Sequence, residues 1–343
     1  MNVINYIAFL VLFQSSFGFD QSLKFLQASP IQDSQRTQKR DKNATANIIF
    51  KSTDGGKTWQ DIGKGLPKNM QGEGYQVDSY VYKAEDFANY NGLYLRSGKW
   101  IYHIEQNPTT PVWKKEIFPD KMSNIAPANK GIFAYNYGGQ ILQKTNGTNV
   151  WSPVFTSFKG KVRTVFETAG GTVFIGSENG LFKSTNGGKT WKHVHVGGWV
   201  LKLVEQNGVL LATSMTGIIR STDDGENWAV VISEGGVGIA VENIKGGFAA
   251  ITFNTLWNTR RVSTSYDGGK TWQAIDAGLP GSLSIASIIQ VGENLFCGHP
   301  DGIYQSSNKG KTWKRILCPM DGKVFNLSVS GNVMYAILKN GGC

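Results

Sequence analysis

An octet that closes on tryptophan recurs five times along the chain and leaves little choice about what it can fold into. It reads Ser52-Thr53-Asp54-Gly55-Gly56-Lys57-Thr58-Trp59 and returns over Ser184–Trp191 (STNGGKTW), Ser221–Trp228 (STDDGENW), Ser265–Trp272 (SYDGGKTW) and Ser306–Trp313 (SSNKGKTW). A short apolar run precedes each copy, such as Ile48-Ile49-Phe50 or Gly217-Ile218-Ile219, with Val262 the weaker equivalent in the fourth. Another largely apolar stretch follows, so the pattern is strand, tight turn, strand. The third place (Asp54, Asn186, Asp223, Asp267, Asn308) accepts hydrogen bonds from backbone N–H groups ahead of it and closes the turn. The fifth (Gly56, Gly188, Gly225, Gly269, Gly310) allows a positive φ that side chains resist. The closing Trp59, Trp191, Trp228, Trp272 and Trp313 are large plates for burial between stacked sheets.

Two sharper readings of the octet fail on their own rules. The Gly-Lys-Thr of several copies looks like the tail of a phosphate-binding loop, but the required earlier glycine is replaced by Lys51, Lys183, Thr264 or Gln305. The calcium loop D-x-[DN]-x-[DN]-G with its distal Glu does not occur. The octet is a structural turn.

Trp113 and Trp151 divide the long gap between the first two copies, and the seven tryptophans then lie 54, 38, 40, 37, 44 and 41 residues apart. The turns before these two are worn (QNPTTP and KTNGTNV), while strands still fit at 100–104 and 141–143. One unit contains four short strands, at 162–168, 172–176, 181–184 and 192–196. Four strands in about forty residues is the signature of a propeller blade. The C-terminal stretch supplies a first and second strand (324–329, 332–338), and 47–62 supplies only a third and fourth. Joined, they complete one blade and leave no open edge. The expected fold is all-β: a seven-bladed β-propeller of four-stranded antiparallel blades, closed by two C-terminal plus two N-terminal strands.

These octets resemble the Asp-box, or BNR, repeat S-x-D-x-G-x-x-W of sialidases, sortilin-type receptors, xyloglucan hydrolases and a photosystem assembly factor. The resemblance covers 47–343 and implies the sialidase-superfamily propeller fold. It is strongest to the single-domain photosystem-assembly-factor-like and sortilin-like propellers. It implies little about activity, because the box in those families is a structural turn. Their ligand and catalytic groups sit on the face opposite the boxes.

A chain of 343 residues with 42 Gly, 10 Trp and only 17% charged residues suits many short strands and tight turns. Residues 1–18 read as a secretory signal peptide with an apolar centre at 4–13, cleaved near Gly18–Phe19, and 19–46 as a disordered polar leader. The expected product is secreted and probes no membrane interior. The net charge of +10 belongs to the mature chain, and Lys57, Lys189, Lys270 and Lys311 share one place in four boxes. Such a surface favours acidic partners, and nothing marks nucleic-acid binding. In an oxidising compartment Cys318 and Cys343 are expected to form a disulfide across the closing blade, with Cys297 a buried thiol. Glycosylation is expected at Asn43 and Asn146, and not at the inner-strand Asn326.

On the face opposite the boxes the second-to-third and fourth-to-first loops should present Arg96, Lys99, Tyr135, Tyr137, Glu178, His195, Trp199, Trp257, Arg260, Arg261, His299 and Asp301. Trp257 beside Arg260 and Arg261 suits a sugar ring with an anionic group. Glu178 and Asp301 are the one carboxylate pair worth nominating for hydrolysis. The Arg-Ile-Pro motif that sialidases carry is missing. His193 and His195 alone make no metal site, and no cofactor is expected. The reading is a secreted, monomeric, non-catalytic scaffold that recognises a glycan or protein ligand opposite the boxes. The alternative is a sialidase-like, exo-acting glycoside hydrolase.

Overall fold

A computed structural model describes residues 48–67, 82–83, 92–97, 100–105, 112–116, 122, 124–148, 150–233, 236–320 and 323–339. The chain opens with β1 (Ile49–Ser52) and β2 (Gln60–Asp61). Blade I is β3 (Tyr82–Lys83), β4 (Gly92–Ser97), β5 (Trp100–Glu105) and β6 (Lys114–Lys115). Blade II is β7 (Asn124–Ala128), β8 (Gly131–Tyr135), β9 (Ile141–Thr145) and β10 (Trp151–Pro153). Blade III is β11 (Thr164–Glu167), β12 (Val173–Gly176), β13 (Gly180–Ser184) and β14 (Lys192–Val196). Blade IV is β15 (Leu203–Gln206), β16 (Val209–Ser214), β17 (Gly217–Ser221) and β18 (Ala229–Ile232). Blade V is β19 (Gly236–Ile244), β20 (Gly247–Asn254), β21 (Thr259–Ser265) and β22 (Gln273–Ala274). Blade VI is β23 (Ser287–Val291), β24 (Asn294–His299), β25 (Gly302–Ser306) and β26 (Lys314–Leu317). Blade VII joins β27 (Val324–Ser330) and β28 (Val333–Lys339) to β1 and β2, in the order β2-β1-β28-β27.

The chain-closing sheet is therefore the one expected. Phe50 lies opposite Ala336 and Ile49 opposite Ile337, and the amide of Leu338 donates to the Ile48 carbonyl. Trp151 opens β10, and Trp113 stands just before β6 with its amide donating to the Lys64 carbonyl. Among the described residues, seven buried apolar clusters lie one between each neighbouring pair of blades. The cluster of Phe50, Phe296, Phe325 and Met334 joins VI to VII, and that of Ile49, Leu93, Leu95, Trp113 and Ile337 joins VII to I. An open row of seven sheets has six such interfaces; the seventh makes a ring. The β12 strand is buried along its whole length, while the outer strand β14 is largely exposed.

The box turns show why the octet is needed. The Ser52 hydroxyl donates to Asp54 and accepts from the Gly56 amide, and Asp54 Oδ1 accepts from the amides of Lys57 and Thr58. The same bonds recur about Asp223 and Asp267. Asn186 and Asn308 keep the amide bond to the threonine. The fifth-place glycine has a second task, contact with the preceding blade. A Cβ on Gly225 (φ 78°) would fall 2.4 Å from the Phe174 ring of blade III. Trp228 meets that ring edge-on at 6.2 Å. Beside them the buried Lys183 of β13 reaches across to Asp224 (2.9 Å) and Glu226 (2.7 Å) of the next box. Burial opposes its charge, but the two carboxylates prevail and raise its pKa. Each box thus closes its own hairpin and latches it to the neighbour.

Lys57, Lys189, Lys270 and Lys311 are all exposed on this box face. Cys297 is buried, which pushes its thiol pKa up, and Cys318 is exposed; no disulfide joins these two described cysteines. Cys343 and Asn43 lie outside the described residues, as do the stretches 1–18 and 19–46. Asn146 sits in the β9–β10 turn, half-buried rather than exposed, with its amide donating to Lys130.

Trp113→Ala should destabilise the ring by about 3–5 kcal/mol, because the indole is buried in the seam between VII and I and donates to the Ile62 carbonyl at 2.7 Å. Chemical denaturation checks this. A second outcome concerns acid. The turn's hydrogen bonds, led by those to Thr58, hold the Asp54 carboxyl down at about 2, and equivalent bonds lower Asp223 and Asp267. A depressed folded-state pKa gives stability that is present above about pH 4 and lost as pH falls towards 2. The triple variant Asp54→Asn, Asp223→Asn, Asp267→Asn should fold, as the natural Asn boxes do, and show a flatter melting temperature across that range.

Candidate functional site

In an antiparallel blade the β-hairpin turns alternate between two ends, so the second-to-third turns and fourth-to-first connections gather opposite the boxes. Backbone bonds tie them together there. The Val162 amide donates to Tyr137, that of Val200 to Ser177, and that of Arg260 to Ser282. Between blades II and III this face brings four side chains into one cluster. Tyr137 comes from the β8–β9 turn, Arg163 from the connection before β11, Glu178 from the β12–β13 turn, and Trp199 from the connection before β15.

Arg163 is the hub. Its guanidinium carbon lies 4.5 Å from the centre of the Tyr137 ring and 4.3 Å from that of Trp199. One nitrogen donates to Glu178 at 2.9 Å. The Lys161 ammonium stands 4.7 Å from the Tyr137 ring. The neighbouring Tyr137 hydroxyl and the Arg163 guanidinium together hold the Glu178 carboxyl below its usual range. The same carboxylate raises the Tyr137 phenol pKa. At neutral pH the group is a carboxylate, a guanidinium and a neutral phenol. Cations between aromatic faces hold both rings in place while leaving them partly exposed.

Gly197 and Gly198 let the chain deliver Trp199. A Cβ on Gly197 would fall 2.5 Å from the His195 ring, and Gly198 holds φ at 80°. Outward of the cluster, two adjoining depressions of about 200 and 650 Å³ run between the β8–β9 and β12–β13 turns. The connection 154–163 forms their floor, with Phe158, Lys159, Gly160, Lys161 and Asn179 common to both. Their exposed cations are Lys159 and Lys161, and their one carboxylate, Glu178, is already paired.

The other nominated residues fall elsewhere. Tyr135 is not on the face but buried in the core between II and III. His299 is buried. Its Nδ1 accepts from the Asp301 amide (3.0 Å), leaving Nε2 to donate to the Pro280 carbonyl (2.9 Å). Burial lowers its pKa and keeps it neutral, so it is a structural histidine rather than a ligand group. His195 is half-buried in the outer strand β14, and burial, then His193, lowers its pKa. Arg261 is taken up by Asp276 (2.6 Å), and Arg260 donates to the Ile285 carbonyl (2.6 Å). The expected pairing of a Trp257-stacked sugar with an anion held by either arginine is therefore not assembled, although Trp257 itself stands clear of the surface. Glu178 and Asp301 belong to blades III and VI, with two blades between them. Arg96 lies in β4, and Lys99 is outside the described residues.

Arg163, Lys161 and Lys159 were not among the nominated residues. Reading the first strand of this blade as 162–168 placed Arg163 inside it, whereas β11 begins at Thr164 and leaves Arg163 on the connection. Two lysines flanking Gly160, just before a strand and directly after an aromatic, were the available signal.

Comparison with known proteins agrees with the ring. The BNR/Asp-box repeat family model matches residues 50–61, the first box. No curated protein matches the chain by sequence. Among solved structures, YCF48 bound to D1 peptide superimposes with a TM-score of 0.54 at 9% identity, covering 82% of this chain and 100% of that one. The GH74 xyloglucanase from Xanthomonas campestris gives 0.59 at 13% identity, covering 82% and 53%. An ancestral GH74 enzyme gives 0.57 at 17%, covering 86% and 46%. The chain thus spans about half the length of these two enzymes. At such identities the likeness is one of fold. The repeated Ser–Asp–Gly–Trp turns, the family match on the first of them and the closed ring of seven four-stranded sheets make this chain a BNR/Asp-box repeat β-propeller.

Proposed function

We propose that this protein is an exported, non-catalytic binding scaffold that holds a glycan or protein ligand on the face opposite the boxes, in the notch between blades II and III. The observation that carries the reading is the Tyr137–Arg163–Trp199 sandwich closed by Glu178. Its charges are mutually satisfied, its aromatic faces are held rigidly, and the neighbouring depressions add two unpaired-by-carboxylate lysines, Lys159 and Lys161. Rigid aromatics and a positive edge suit recognition of a ligand that carries acidic groups. YCF48, which shares the fold, was solved with a peptide bound. Export rests on the apolar leader at 1–18. Glycosylation at Asn43 and Asn146 and a Cys318–Cys343 bond belong to the same proposal.

One feature favours the second reading, a sialidase-like hydrolase: the Tyr137 phenol and the Glu178 carboxylate shift one another's proton affinity. A tyrosine nucleophile needs a base free to take its proton. Here the carboxylate is lowered in pKa and already bound by Arg163, while the phenol pKa is raised. That is the wrong direction for both partners.

A glycan array and a fluorogenic sialoside and glycoside panel, run on one preparation, separate the two. The expected result is array or peptide binding that falls about tenfold or more in Trp199→Ala, as loss of a stacked aromatic would give, with no turnover of any glycoside. Turnover by the wild type that disappears in Glu178→Gln or Asp301→Asn would establish the hydrolase instead. Intact-mass measurement of the secreted chain should place the mature N-terminus at Phe19 or beyond; a retained Met1 would remove the export proposal.

A further inference from the structure

The β20–β21 hairpin stands out from its neighbours. Measured from the box serine, pairing in blade IV runs from Leu210↔Ser221 to Ser214↔Gly217, and in blade VI from Leu295↔Ser306 to His299↔Gly302. In blade V it runs from Phe248↔Ser265 to Asn254↔Thr259, two residues further. At strand rise this carries the turn about 7 Å beyond the turns on either side. The tip is built rather than loose. Asn254 Oδ1 accepts from the amides of Leu256 (2.9 Å) and Trp257 (3.0 Å), and Asn258 turns the chain with φ at 53°. This rigid tip holds Leu256 and Trp257 almost wholly in water, 82% and 77% exposed.

The same face carries further exposed apolar side chains on the neighbouring connections: Val196, Trp199 and Leu201 before blade IV, Met215 in its turn, and Leu283 before blade VI. Among the described residues, two carboxylates on the turns and connections of this arc are matched by cations, Glu178 by Arg163 and Asp276 by Arg261. Asp301, half-buried beyond the arc on blade VI, lies beside the neutral His299. Lys159 and Lys161 lie exposed at the opposite end.

We propose that this arc is a peripheral docking surface for an anionic lipid bilayer, with Leu256 and Trp257 entering the headgroup layer and Lys159 and Lys161 facing acidic lipid. The apolar groups are spread over several loops, Val196, Trp199 and Leu201 about one connection and Leu256 and Trp257 on another, and the last two stand on a projecting tip. A protein partner needs a shaped pocket for each such group, whereas a fluid headgroup layer closes around protrusions at any spacing. Tryptophan favours that layer for its apolar body and polar N–H. Neutralised carboxylates remove the repulsion that would keep such a face off a negative surface. The hydrogen-bonded sheets stay in water, so nothing spans the bilayer, in keeping with the lack of any long apolar helix among the described residues. Leu256 and Trp257 lie outside the II–III notch, whereas Lys159 and Lys161 belong to both surfaces, so the tip variant tests the docking apart from the ligand reading.

Co-sedimentation of the full chain with phosphatidylcholine vesicles, with and without phosphatidylserine, tests this. The wild type should pellet with the phosphatidylserine vesicles and much less with phosphatidylcholine alone. Leu256→Ser with Trp257→Ser should weaken that binding about tenfold or more, at an unchanged melting temperature, since both side chains are in water. Lys159→Glu with Lys161→Glu should abolish the preference for phosphatidylserine. A wild type that stays in the supernatant, or a tip variant that pellets as well as the wild type, would overturn the proposal and leave the arc to a protein partner.

Discussion

Everything in this ring depends on a side-chain carboxylate or amide taking the place of a sheet partner. Where a third strand turns into a fourth, several backbone N–H groups point along the turn with no strand to receive them. Asp54, Asp223 and Asp267, or Asn186 and Asn308, accept those hydrogens from within the turn. The serine at the head of each box takes the glycine amide. That glycine amide is buried, and left unmet it would be costly. With the turn's amides met, the turn can lie close enough for its glycine and tryptophan to touch the blade before it.

That contact joins the blades to one another. Gly225 against Phe174, Gly188 against Phe155, and Lys183 reaching Asp224 and Glu226 are versions of one arrangement, in which each turn serves two sheets. The apolar clusters between blades then run round the whole circle, and the seam between the chain ends is no weaker in composition than the others. Because each sheet is gripped from both sides, the opposite face is free to vary. It is there that exposed aromatics and cations collect: Tyr137, Arg163 and Trp199 in the notch, Leu256 and Trp257 on the long hairpin.

A face of this kind binds through rigid presentation rather than through a deep cavity. The guanidinium between Tyr137 and Trp199 fixes two rings that would otherwise turn freely, and the Asn254 side chain does the same for the hairpin tip. Ordering that is complete before a ligand arrives need not be provided by the ligand. The same neighbours weaken Glu178 as a base, because the arginine and the phenol both favour its ionised form.

The fold was legible because its information is local and repeated. An octet fixes its own turn, seven tryptophans give the blade period, and unequal strand counts at the two chain ends announce the shared blade. All of these survive as strings, and even the worn turns before Trp113 and Trp151 left their strands readable. The candidate site was legible only in part. Tyr137, Glu178 and Trp199 could be assigned to the right face by counting loops. Their union through Arg163 depended on a strand beginning two residues later than its apolar pattern suggested. His299, Arg260 and Arg261 looked equally available in the sequence, and each proved to have an acceptor inside the protein, on Pro280, Ile285 and Asp276. Whether a polar side chain meets solvent or a partner is set by residues distant along the chain, which converge only when neighbouring blades pack. The sequence alone therefore determined the architecture and the face, and the tertiary structure decided which charges on that face remain for a ligand.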